Sequence, residues 1–263
     1  RSMRIALTRD VSPAMDRCEL SHLARSPIDQ ARAVAQHAAY EQCLMELGCR
    51  VHRVPADASM PDAVFIEDTA VVVDELAVVT RPGARSRRAE TEGVSTALTP
   101  FRSLAVIEAP GTLDGGDVLR IGRTFYVGDS ARSNRDGIAQ LGELLAPWDY
   151  RVVPVTTRDC LHLKTAATVA APGIVVLNPD WVDRAVFGAV AVVEVDPAEP
   201  FAGNVLRVGE ATISAAAFPR TIRRLEALGI DVRAIDMSEF AKAEGGVTCC
   251  SVIFELNEEA PEP

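Results

Sequence analysis

A single α/β domain built as a closed ring of five mixed units is the fold this sequence predicts, and three observations carry the prediction. A helix-glycine-strand construction near the N-terminus returns near the C-terminus, five polar turns leading into strands recur at near-constant spacing, and that period nearly exhausts the chain. The length permits it. At 263 residues, with 48% hydrophobic and 24% charged side chains, the chain can bury one large core or two small ones, and it is not disordered, collagenous or a small disulfide scaffold.

Arg1-Ser2 precede an expected native Met3, and the apolar run Ile5 to Leu7 is too brief for a signal-peptide core. A first helix is predicted from Pro27 to Leu47, capped by Ser26-Pro27-Ile28-Asp29 and stopped by Gly48. Ala31, Val34, Ala35, Ala38 and Met45 share one face at helical spacing, so this face is expected to pack. Cys49 to Val54 then alternates as a strand. The construction returns in the helix Pro219 to Leu228, the stop Gly229 and the alternating run Ile230 to Ile235. Strand-like runs led in by polar or glycine-rich turns lie at 65–71, 113–119, 161–164, 204–208 and 248–253. With Asp68, Asp114, His162, Asn204 and Cys249 as markers, the steps are 46, 48, 42 and 45 residues. Self-similarity at a fixed period marks repeated units. Each unit combines strands with a helix, too large for a helical solenoid repeat and too helical for a four-stranded blade. In a closed ring the same corner of every unit faces the axis, so the five markers are expected to converge. The domain is expected to cover residues 3–254, followed by an acidic, frayed tail at 255–263 that carries Glu258, Glu259 and Glu262.

Twenty-seven Lys plus Arg against 37 Asp plus Glu give a formal charge of −10, which argues against nucleic acid or an anionic membrane as partner and leaves a cationic small molecule open. The longest nearly apolar stretch, Thr165 to Leu177, is broken by Pro172-Gly173 and is too short to span a bilayer. Six cysteines without a C-x-x-C pair fit neither a disulfide framework nor a zinc knuckle, so a reducing cytoplasm is the expected location. A homodimer is compatible with all of these features.

The markers supply a thiol, an imidazole and carboxylates, the parts of an activated-nucleophile site. His37 on the first helix, His52 on a strand and His22 in a loop have structural or solvated readings, whereas His162 stands between two leucines at the start of a strand. Cys18, Cys43, Cys49 and Cys160 read as small buried hydrophobes. Cys249 follows Glu244-Gly245-Gly246-Val247-Thr248, a turn built for close backbone approach, while Cys250 must face the other way. The Gly115-Gly116 and Gly245-Gly246 pairs lack the following helix and lysine of a phosphate cradle and read as tight turns.

The segments Phe65-Ile66-Glu67-Asp68, Arg81 to Arg88, Ala109 to Asp117, Leu161-His162-Leu163-Lys164 and Gly245 to Ser251 together resemble the dimethylarginine dimethylaminohydrolase family, over essentially the whole chain from Met3 to Phe254. The resemblance implies a five-fold pseudosymmetric αβ propeller of ββαβ-type units, shared by the guanidino-group-modifying superfamily. It implies hydrolysis of Nω-methylated arginine to citrulline and an amine through a covalent S-alkylthiouronium intermediate, with no cofactor and no metal. By the same resemblance Cys249 is the nucleophile, His162 the general acid/base, and Asp114 the third catalytic carboxylate, where some relatives carry the longer Glu. Asp68 grips the guanidinium, with Glu67 and Asp62 as neighbouring contacts. Arg87 and Arg132 receive the amino-acid carboxylate, Leu20 belongs to a lid, and the carbonyl of Ala243 meets the polar end of the substrate. Arg81, Arg85 and Arg88 read as solvated charge.

The alternatives are an arginine deiminase-like or amidinotransferase member of the same superfamily and, in another class, a non-catalytic five-fold propeller that binds a partner. The last has no use for a thiol and an imidazole at the axis.

Overall fold

The computed structural model describes residues 2–257. In chain order the first unit holds β1 (Ser2–Arg9), α1 (Gln30–Glu46) and β2 (Cys49–Val54). The second holds β3 (Ala70–Val72), β4 (Ala77–Val79), α2 (Glu90–Leu98) and β5 (Leu104–Val106), and the third β6 (Val118–Ile121), β7 (Thr124–Asp129), α3 (Arg135–Leu145) and β8 (Arg151–Thr156). The fourth opens with the single turn α4 (Leu163–Ala166) and continues as β9 (Ala167–Ala171), β10 (Ile174–Leu177) and β11 (Ala191–Glu194). The fifth holds β12 (Val205–Val208), β13 (Ala211–Ala215), α5 (Pro219–Glu226) and β14 (Asp231–Ile235), after which α6 (Ser238–Ala241) leads to β15 (Val252–Asn257).

These strands form five three-stranded sheets, β15-β1-β2, β3-β4-β5, β6-β7-β8, β9-β10-β11 and β12-β13-β14. In each the middle strand pairs antiparallel with the first and parallel with the third. A parallel partner needs a crossover, and a helix supplies it in every unit except the fourth, where a 3-10 turn, Arg184–Phe187, takes its place. This is the expected ββαβ unit. The last strand closes the first sheet, Ser2 to Leu7 lying opposite Asn257 to Val252. Glu255–Asn257 therefore belong to a strand, which corrects the expected tail, and residues 258–263 lie outside those described.

Five apolar clusters hold the ring, one at each junction between neighbouring units. Ile5, Val94 and Ile66 join units one and two, Val78, Phe125 and Leu141 join two and three, and Leu119, Leu163 and Val175 join three and four. Ala170, Val205 and Leu225 join four and five, while Tyr40, Leu44, Ile213 and Phe240 join five to one. Every junction between neighbouring units is thus filled by buried apolar side chains.

The helix-glycine corners match the repeat: Gly48 and Gly229 adopt φ of +89° and +81°, the left-handed backbone that ends a helix most cheaply at glycine. The expected face of α1 is reversed, however. Ala31, Val34, Ala35, Ala38 and Met45 face solvent, and Ala33, Gln36, His37, Tyr40, Glu41, Cys43 and Leu44 are buried. The helix also starts at Gln30, with Asp29 accepting from the Arg32 N–H as its cap. Polar residues can occupy the buried face because each finds a partner. Tyr40 Oη bonds to the Val247 carbonyl and Ser251, Gln36 to Ser238 and the Glu239 N–H, and Glu41 to Thr8 and Arg53. Burial works against the Glu41 charge, but hydrogen bonds from His37, Arg53 and Thr8 outweigh it and hold the carboxyl at about 2. The alanines of the opposite face have little apolar area to gain by burial.

Among the described residues no helix is long and apolar enough to cross a membrane, and Thr165 to Leu177 forms the end of α4 and the β9-β10 hairpin.

Candidate active site

The polar turns expected to be parts of strands are mostly single helical turns in front of them. Ile66–Thr69 and Gly115–Asp117 are 3-10 turns leading into β3 and β6, α4 leads into β9, and Cys249 sits in the turn before β15. Two of these helical turns donate backbone N–H groups to buried carboxylates, Gly116 to Asp68 and Leu163 to Asp117.

Asp114 is fully buried, with Oδ1 accepting from the Gly83 N–H at 3.0 Å and Oδ2 lying 2.8 Å from His162 Nε2. The shorter aspartate thus reaches the imidazole. Asp68 Oδ1 lies 3.9 Å from the same Nε2 and accepts from the Gly116 N–H at 2.9 Å. Burial disfavours the imidazolium, yet the charges of Asp68, Asp117 and Asp114 outweigh it and raise His162 to about 9. Burial also works against ionised Asp68, but His162 and the bonds from Arg87 and Gly116 hold it at about 2. The fit around the ring is close: a Cβ on Gly116 would lie 2.7 Å from His162 Nδ1 and 2.8 Å from Asp68 Oδ1. Asp68, Asp114 and His162 are also the one group among the described residues with three metal-type ligand atoms within 4.8 Å. Three of the four carboxylate oxygens already accept from Arg87, Gly116 and Gly83, so the donor set fits a hydrogen-bonded triad better than an ion's shell.

Cys249 Sγ accepts from the Gly246 N–H at 3.2 Å. Burial and then the charges of Glu67 and Asp68 push its thiol up to about 12. Glu67 accepts from Thr248 Oγ1 at 3.1 Å and pairs with Lys164 Nζ at 3.1 Å, and burial raises it to about 7 against the pull of Lys164. Together Glu67 and Lys164 line an axial cavity of about 310 Å³ bounded by β3, β6, β12 and β15. Glu67 therefore stands between the axis and the turn carrying the thiol. Cys250 is buried, with its Sγ toward the Gly246 carbonyl.

Arg87 departs from expectation. It is 3% exposed and donates to Asp68 at 2.6 Å, to both oxygens of Glu90 at 3.0 and 2.9 Å, and to the Asp62 and Phe65 carbonyls. With these acceptors in place it can turn one Nη1 N–H toward a substrate, not the expected fork. Arg132 is less committed, making 3.4 Å contacts to Asp114 and to Ser21 Oγ. Asp62 ties down the loop at 18–25 rather than lying bare: its carboxylate accepts from the Glu19 N–H, and burial raises it to about 6. Leu20 lies in that loop, half-buried against the core, and Ala243 is buried one residue before Glu244.

Sequence reasoning missed several supports. Lys164 stood in one of the motifs and Asn204 was the fourth of the five markers, leading into the fifth unit, without roles. Asn204 Nδ2 donates to Thr248 Oγ1 at 2.8 Å, fixing the hydroxyl that binds Glu67. Asp117 is fully buried, accepts from Ser130, Ser133 and the Leu163 N–H, and so anchors the segment beside His162; burial raises it to about 6. A glycine-glycine-aspartate turn was the only signal for it.

The family model described as N,N dimethylarginine dimethylhydrolase, eukaryotic, matches residues 14–256. The dimethylarginine dimethylaminohydrolase of Pseudomonas aeruginosa is 36% identical over 89% of this chain and 92% of its own, and that of Streptomyces coelicolor 40% over 94% and 95%. Among solved structures, a cysteine-to-serine variant of the Pseudomonas aeruginosa enzyme complexed with citrulline superposes with a TM-score of 0.92 at 32% identity, covering 96% of this chain and 99% of that one. A histidine-to-glycine variant of a dimethylarginine dimethylaminohydrolase, carrying an S-methyl-L-thiocitrulline adduct, gives 0.91 at 33% identity, covering 96% and 100%. The N-terminal domain of an arginine dihydrolase of cyanobacteria shares the fold at 22% identity, with a TM-score of 0.86. With a buried thiol, an imidazole and their carboxylates gathered on one ring, and likeness extending over nearly the whole chain, this protein belongs to the dimethylarginine dimethylaminohydrolase family.

Proposed function

We propose that this chain hydrolyses Nω-methylated arginines to citrulline and dimethylamine or methylamine through a covalent S-alkylthiouronium on Cys249. One observation carries the reading: Asp68, fixed by Arg87 and Gly116, and Asp114 both stand against the His162 imidazole, while Glu67, next to Asp68 in the chain, accepts from Thr248 in the turn that carries Cys249. Two relatives bear this activity in their names, and a relative's structure holds citrulline.

The free site holds an imidazolium and a neutral thiol. A guanidinium seated against Asp68 and Glu67 offsets the charges that push the thiol up, so substrate binding releases the thiol proton to solvent and leaves the thiolate. Sγ bonds to the guanidinium carbon, giving a tetrahedral adduct. As this collapses, the C–N bond breaks and His162 gives its proton to the departing amine. Neutral His162 then takes a proton from water as the water oxygen bonds to the same carbon. The C–S bond breaks with its electron pair returning to sulfur, which takes up the hydroxyl proton as the ureido carbonyl forms, and citrulline leaves. Asp114 orients the imidazole throughout. In this proposal Arg132 receives the amino-acid carboxylate with one N–H from Arg87, and Asp62, Leu20 and the Ala243 carbonyl surround the polar end. A small cationic partner agrees with the net charge of −10, and a reducing cytoplasm with six free cysteines.

Cys249→Ser is expected to fold, by its circular dichroism, and to form no citrulline from dimethylarginine; retained turnover would overturn the assignment. A panel of arginine, monomethylarginine and dimethylarginine tests the substrate, and a preference for unmethylated arginine would make the chain a deiminase.

A further inference from the structure

We infer that Glu244 is a positioning residue that latches the loop at 18–25 over the nucleophile, a role that rests on reading Cys249 as that nucleophile. Its Oε1 accepts from the backbone N–H groups of Ser21, His22 and Leu23 at 3.1, 2.5 and 2.7 Å, and its Oε2 from Ser21 at 3.0 Å. Three consecutive N–H groups converging on one carboxylate make a charge-assisted clasp, the arrangement that otherwise binds a free anion. The loop has no helix or strand of its own here. Its remaining side-chain ties in the region are Asp62 to the Glu19 N–H, Ser86 to Glu19, Arg132 to Ser21, and Arg25 to the Asp16 and Cys18 carbonyls. The carboxylate of Glu244 is thus the acceptor of more of the loop's backbone N–H groups than any other side chain among the described residues.

The backbone points the same way. Glu244 adopts φ of +61°, a left-handed conformation that favours glycine, in a turn where the next two residues are glycines. A glutamate held there implies a task for its side chain. The same turn sets the sulfur. Gly245 packs so closely on Phe65 that a Cβ would lie 2.2 Å from its ring, and the Gly246 N–H donates to Cys249 Sγ at 3.2 Å. Leu23, Glu244, Gly246 and Cys249 line one cavity of about 280 Å³. Closing the loop and placing the thiol are therefore two ends of one short rigid segment, and releasing the clasp uncovers the thiol.

Glu244→Gln tests this, because it keeps the side chain's size while removing the charge and replacing one of the two acceptor oxygens by an NH₂. Amide exchange followed residue by residue is expected to quicken about tenfold or more at Ser21, His22 and Leu23, the loss of roughly one charge-assisted hydrogen bond. Iodoacetamide should modify Cys249 faster, and KM for dimethylarginine should rise about tenfold with a smaller change in kcat. Glu244→Asp, with the charge kept and the reach shortened, should fall between. Unchanged exchange at those three amides in either folded variant overturns the latch. Exchange needs no substrate, so quickened exchange upholds the latch even if the wild type turns over no methylated arginine.

Discussion

Gly116 offers a test in which structure and chemistry can be separated. Its N–H bonds Asp68, and Gly116→Ala leaves that donor in place while adding one methyl group. That methyl would lie 2.7 Å from His162 Nδ1 and 2.8 Å from Asp68 Oδ1, where ordinary contact begins at 3.4 Å. The ring and the carboxylate must therefore withdraw by about 0.7 Å, and neither has slack, since His162 is tied to Asp114 and Asp68 to Arg87. A displacement approaching 1 Å at a reacting group costs roughly a hundredfold in rate, and adding a methylene to a packed site costs about 1–3 kcal/mol of stability. Citrulline formation from dimethylarginine, measured beside a urea titration, is expected to show kcat down by about two orders of magnitude in a chain that still folds. The pKa of His162, followed by NMR, should fall from about 9 as Asp68 is pushed away. Wild-type kcat in Gly116→Ala would refute the reasoning, for it would mean that His162 need not stand where it does.

Lys164→Met removes the ammonium paired with Glu67 and leaves a buried carboxylate alone, which is expected to lower stability by about 3 kcal/mol. Adding Glu67→Gln should restore the melting temperature without restoring turnover, and a single variant as stable as the wild type would deny the pair its role. Stability should also depend on pH. His162, raised to about 9 from 6.5, contributes fully below about pH 6.5 and loses its contribution as pH rises through about 9. Glu67 and Asp62, raised to about 7 and about 6, act in the same direction over a lower range, while Asp68, held at about 2, contributes above about pH 3.8 and loses its share below. The urea midpoint should therefore decline from pH 5.5 to pH 9.5, and a midpoint that rose over that interval would contradict these assignments.

The repeat was legible because each unit begins with a polar turn at the axis, and that turn must recur wherever the ring needs an inner corner. Cys249, His162, Asp114 and Asp68 stood at those corners and could be found by counting. The reversed face of α1 was not legible: Glu41, Gln36 and His37 look solvent-facing until their partners, more than two hundred residues away for Gln36, are known. How far Arg87 is already engaged was hidden for the same reason. An arginine beside a substrate motif reads as a substrate fork, and only the position of Glu90 and the Phe65 carbonyl reveals how much of that fork is already used. Lys164 and Asn204 were visible as residues but silent as roles, since their functions exist only between units.

The pairing of β15 with β1 has a bearing on when the site comes into being. Loop closure over nearly the whole chain is entropically slow to find, and the contacts that reward it are the most distant in sequence. Cys249 lies in the turn before β15, so the place of its thiol depends on a strand whose partner is at the other end of the chain. The position of the sulfur is thus set by the closure of the whole ring, not by the unit that carries the histidine or those that carry the acids.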